Sequence, residues 1–119
     1  MEYMLLIYLA DNAMNDAERE ACYKESTQLA VDLNASGQFL APNPLQPTAT
    51  ATSVRVRDGK SIVTDGPFAE TREHLGGYFL IDAANLDEAI RLAARIPGAR
   101  KGTVEIRPVM EIPGLPAGR

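Results

Sequence analysis

The 119-residue chain has room for one domain and not for two. Its mixture of 45% hydrophobic and 24% charged residues is that of an ordinary folded domain, which excludes extended disorder. A formal net charge of −4 excludes a general basic surface for nucleic acid, because neutralising phosphates needs clustered Lys and Arg. The one cysteine, Cys22, allows no internal disulfide and suits a reducing compartment. The apolar start of the chain is too short to span a membrane and lacks the basic leader of a signal peptide. A cytoplasmic location is expected, with no membrane partner.

Residues 3–9 read as a strand, being short, apolar and rich in aromatic and branched side chains. Both of its faces are apolar, so it needs a cover on each side. Helices of its own chain supply one cover; a second copy of the chain is expected to supply the other. A helix is predicted from Asn15 to Ala35, where Asn15 and Glu18 match a capping box. Ala21, Cys22, Leu29 and Leu33 give it an apolar stripe, and Gly37 is placed to end it. Residues 38–48 hold Phe39, Leu40, Pro42, Pro44 and Pro47, which suits an edge segment leading into a loop and not a central strand.

Residues 50–57 and 60–64 read as strands joined by the two-residue turn Asp58-Gly59. That register sets Arg57 opposite Lys60 and Arg55 opposite Ile62, so Arg55, Arg57 and Lys60 share one face. A loop over 65–73 leads to Gly76-Gly77 and a strand at 78–83. Asn85 and Glu88 then start a helix whose stripe is Leu86, Ala89, Ile90, Ala93 and Ala94. Pro97-Gly98 ends it. A last strand is predicted at 103–112, with Val104, Ile106, Pro108, Met110 and Ile112 on one side. The order is that of an α+β, ferredoxin-like βαββαβ domain over 1–112 with an inserted β-hairpin, followed by a loose tail at 113–119.

The stretch Val63-Thr64-Asp65-Gly66-Pro67-Phe68-Ala69-Glu70-Thr71-Arg72-Glu73, followed by Leu75-Gly76-Gly77-Tyr78, resembles the DGPF-domain proteins of the YCII-related family. The run Val104-Glu105-Ile106-Arg107-Pro108-Val109 is similar to the same family's last strand, and the resemblance extends from Tyr3 to about Ile112. It implies a ferredoxin-like fold that pairs into a dimeric α+β barrel, in a family whose biochemical role is largely unassigned. It also implies a link to transcriptional regulation, since DGPF proteins often accompany extracytoplasmic-function sigma factors. Better-known YCII relatives carry a His and Asp pair proposed to be catalytic, the His near the first helix. The helix from Asn15 to Ala35 holds no histidine here, and Asp65 is the residue left to match the acidic partner.

Asp65 is a candidate general base at the rim of a pocket, with Phe68 and Glu70 as ligand contacts beside it. A carboxylate does that work near neutral pH only if burial or like charge raises its pKa. The same Asp-Gly-Pro run equally makes a plain turn. His74, the one histidine, is a second catalytic candidate. It has no Cys, second His or spaced carboxylates with it, so no metal site is expected. Arg55 and Arg107 are candidates for holding an anionic ligand through forked hydrogen bonds, or for pairing with Glu105 and Glu111. Cys22, in a helical stripe, reads as a small core residue. No cofactor is implied, because Gly76-Gly77 does not sit in a strand-to-helix phosphate loop. Three functions fit: a small-molecule-binding or accessory domain, a small cofactor-independent lyase, isomerase or hydrolase using Asp65, and a structural interaction domain.

Overall fold

The strand that opens the chain becomes the middle of a sheet. In the computed structural model, which describes residues 1–67 and 71–116, β1 (Glu2–Leu9) lies between β5 (His74–Asp82) and β6 (Thr103–Pro108), antiparallel to both. The edge beyond β5 is β2 (Phe39–Pro44), giving the order β2-β5-β1-β6. Pro42 and Pro44 lie in this edge strand, as a residue without an N–H requires. The architecture is the expected α+β, ferredoxin-like one, with the hairpin β3 (Thr52–Arg57) and β4 (Lys60–Asp65) as a separate two-stranded sheet.

Helix α1 (Asp16–Ala35) starts on the predicted capping box. The Asn15 side chain accepts the Glu18 N–H at 2.8 Å, and the Glu18 carboxylate accepts the Asn15 N–H at 3.1 Å. Glu18 also accepts from Lys101 at 2.8 Å, and that bond holds its carboxyl below the usual range. Gly37, at φ +76°, turns the chain so that the Gln38 N–H reaches the Leu33 carbonyl at 2.8 Å. Helix α2 (Leu86–Ala93) is capped by Asn85, whose side chain accepts the Glu88 N–H at 3.0 Å.

Both helices cover one face of the sheet. The core between them is Tyr3 and Leu5 of β1, Phe79 and Ile81 of β5, Leu29 and Leu33 of α1, Ala89, Leu92 and Ala93 of α2, and Ile96. Alternation along the strands sends Met4, Leu6, Tyr78 and Leu80 to the opposite face, where Leu6 stands across from Tyr78 and Met4 from Leu80. These four are only half-buried. The molecule is 22 Å through its thinnest dimension, about the depth of one sheet and one helix layer. Its radius of gyration is 16.0 Å, against about 13.5 Å for a compact chain of this length. Among the described residues no helix is long and apolar enough to cross a membrane.

Several expected boundaries move. The hairpin turn is as predicted, with Asp58 at φ 51° and Gly59 at 73°, the left-handed pair that a tight hairpin needs. Its first strand begins at Thr52, because Thr48–Thr50 form a 3-10 turn. Strand β5 begins at His74 and not at residue 78, taking in both glycines through an irregularity opposite Ile7 and Tyr8. The α2 stripe is rotated from the predicted one. Leu86, Ile90 and Ala94 are exposed while Ala89, Leu92 and Ala93 are buried. Ala21 likewise faces solvent on α1. The last strand stops at Pro108, leaving Met110 and Ile112 exposed.

Candidate functional site

Two concavities flank β1. The first is an apolar cavity of about 280 Å³ between α1 and the sheet, partly open to solvent. Its origin lies in missing bulk on both sides. On β5 the row of side chains aimed at the helices runs Ile81, Phe79 and then Gly77, where it stops. On α1 three of the lining residues, Cys22, Ser26 and Ala30, are spaced four apart on one helix face and are small, with Tyr23 and Thr27 beside them. Ile7, Leu9, Met14, Phe79 and Ile96 wall the space left between them. Gly77 is fixed by the backbone, not by the cavity. A Cβ there would stand 3.0 Å from the Asn43 carbonyl oxygen and 3.1 Å from the Pro44 Cα, so close does β2 approach.

None of the described residues lining this cavity is Asp, Glu, Lys, Arg or His. Its polar atoms are hydroxyls, amides and one thiol. The Thr27 hydroxyl is committed to the Tyr23 carbonyl at 2.8 Å, and the Asn43 side-chain amide donates to the Tyr78 hydroxyl at 3.0 Å. Burial, reinforced by the nearby Glu25 carboxylate, pushes the Cys22 thiol up, against the weaker pull of Arg100 and Lys101. The thiol is therefore protonated at neutral pH and a poor nucleophile. The expectation of Cys22 as a core residue is corrected, since it is half-buried on the cavity wall.

The second concavity is a broader groove of about 590 Å³, walled by Tyr8, Thr48, Thr50, Pro67, Glu73 and His74 among others. The His74 side chain is 17% exposed, and its Nε2 stands 3.8 Å from Oδ2 of Asp11. That is within ion-pair reach but too long for a hydrogen bond. Asp11 also accepts from the Thr48 hydroxyl at 3.1 Å, and Glu73 from the Thr103 hydroxyl at 2.8 Å.

Among the described residues, the sequence-predicted ones do not converge on one of these sites. Asp65 ends β4, exposed and opposite Thr52, and is not among the described residues that wall the groove. Gly66, at φ +95°, donates its N–H to the Ala51 carbonyl at 2.7 Å and accepts the Ser53 hydroxyl at 2.8 Å, so this part of the motif fastens a turn. Phe68 and Glu70 lie outside the described residues. Arg55 sits on the hairpin and Arg107 on β6 opposite Met4, in two different sheets. Among the described residues no cluster of three or more His, Cys, Asp or Glu could hold a metal.

Sequence reading missed Asp11, which stood in a turn with nothing to connect it to a residue sixty positions on. It also missed the cavity. Its signal was present, as small residues every fourth position on α1 and a glycine pair entering a strand.

The YCII-related domain model matches residues 1–113 of the chain. An uncharacterized protein of Rhizobium meliloti (strain 1021) is 48% identical over 118 aligned positions, with 92% of each chain covered. A match of this extent shows that the chain belongs to the YCII-related family.

Proposed function

We propose that the chain is a small-molecule-binding domain that works as a homodimer, with the cavity between α1 and the sheet as its binding site. The observation that carries this is the cavity's construction. It is a concave, mostly apolar space of ligand size, walled by Gly77 and Phe79 of the sheet and by Cys22, Ser26 and Ala30 of α1. The homodimer rests on the other sheet face, where Met4, Leu6, Tyr78 and Leu80 are only half-buried and have no layer of the described residues over them. The link to sigma-factor-associated regulation rests on the resemblance of the Asp65 to Glu73 stretch to DGPF proteins. Fold alone does not choose, since ferredoxin-like domains host many functions.

One observation favours a second reading, a small cofactor-independent enzyme. His74 on the groove wall stands within ion-pair reach of the Asp11 carboxylate, a base with an acidic neighbour that could orient it on closer approach. In it His74 takes the part that the sequence suggested for Asp65.

One experiment separates the two. Small metabolites are screened by thermal unfolding on the wild type, Ala30→Leu and His74→Gln. Ala30→Leu fills the cavity with a good helix former. A ligand at a hundred times its Kd stabilises by about 2.7 kcal/mol, a shift of several degrees. The expected result is stabilisation lost in Ala30→Leu and kept in His74→Gln. The reverse pattern, with turnover lost in His74→Gln, overturns the binding reading in favour of the enzyme.

A further inference from the structure

Size and lining together narrow what the cavity accepts. An engineered cavity of about 150 Å³ holds one benzene ring. The space here is about 280 Å³. Its walls are Ile7, Leu9, Met14, Phe79 and Ile96, with no charged side chain among the described lining residues. The charges nearest its thiol are already committed. Arg100 binds Glu25 at 2.9 Å, and Lys101 binds Glu18 at 2.8 Å. A charged ligand entering would give up part of its water and find no charged partner. Two hydroxyls without a hydrogen bond among the described residues are on offer, that of Ser26 and that of the more exposed Tyr23. The Ser26 hydroxyl lies on the helix side of the cavity and makes no hydrogen bond among the described residues.

We propose that this cavity selects a neutral, largely apolar molecule of about two fused rings, carrying one hydroxyl or carbonyl for Ser26, and rejects anions of the same shape. This deepens the binding reading above and rests on it. Ile7 and Phe79 from the sheet and Ala30 from the helix supply the contact surface. Cys22 is a built-in reporter, because it is the chain's one cysteine and stands on the wall.

The test uses naphthol and naphthalenesulfonate, which share a ring system and differ in charge. Alkylation of Cys22 by iodoacetamide is timed with increasing amounts of each, and binding is followed by calorimetry. Naphthol is expected to slow alkylation saturably, and the sulfonate to bind at least about tenfold more weakly. Ala30→Leu, or Ser26→Leu should the first variant fold poorly, is expected to abolish the protection. Equal protection by the sulfonate overturns the charge selection and leaves the binding site standing. Protection that persists in both folded variants places the probe elsewhere and overturns selection and site together. Absence of protection by either compound overturns the proposed ligand class, while the metabolite screen still decides the site.

Discussion

Cys22 shows how one side chain reports on its surroundings. Sequence periodicity placed it on an apolar stripe with Leu29, and the core was the natural inference. The structure seats it one helix turn from Ser26, over a gap, half-buried. Burial disfavours the thiolate, and Glu25 adds to this, so the folded-state pKa lies above the ordinary thiol value. Thiolate is the reactive form, so alkylation should be slower in the folded protein than in the unfolded chain at neutral pH. It should accelerate only above the pH at which the unfolded thiol does. Rates measured from neutral to alkaline pH check this, and a folded-state profile superimposing on the unfolded one would contradict it. By the same sign, any stability tied to the neutral thiol is present below the unfolded thiol's pKa and lost as pH rises through the folded one.

At the scale of elements, what was legible followed from short-range rules. Asn15 and Glu18 close a capping box because three positions separate a good cap from a side chain long enough to reach back. Asp58-Gly59 makes the hairpin because both residues tolerate a left-handed backbone. Pro42 and Pro44 put β2 at an edge. The misses were those in which tertiary packing overrides the local pattern. Leu86 and Ile90 matched a helical stripe, yet the short α2 turns Ala89, Leu92 and Ala93 inward, the small residues allowing close approach to the sheet. Gly76 and Gly77 looked like a break before a strand, yet β2 needs a glycine there to come near. The capping box carries a direct prediction: Asn15→Ala removes the acceptor for the Glu18 N–H and should cost about 1 kcal/mol. Urea unfolding measures it. A loss near zero would mean that α1 is held by Leu29 and Leu33 alone.

For the whole molecule, the governing feature is a two-layer slab whose second sheet face has no cover among the described residues. Leu6 sits in the middle of the central strand with Tyr78 on one side and Glu105 on the other, and Leu80 stands two positions further along β5. The hairpin adds a second apolar surface, with Val54, Val56 and Val63 each about 60% exposed. A second copy laid on the sheet face would bury the first of these surfaces without new backbone structure. Leu6→Glu places a charge in that face and should convert a dimer into a folded monomer. Sedimentation equilibrium with circular dichroism checks this. A wild type that sediments as a monomer at micromolar concentration would overturn the pairing.

The claim on which the functional reading turns is that the layer between α1 and β5 is hollow and dry beside Gly77. Apolar cavities of this kind take up xenon. Crystals of the protein pressurised with xenon are expected to show the atom in contact with Ile7, Ala30 and Phe79, with occupancy lost in Ala30→Leu. A site filled instead by a neighbouring side chain, or by ordered water with no xenon uptake, would contradict it.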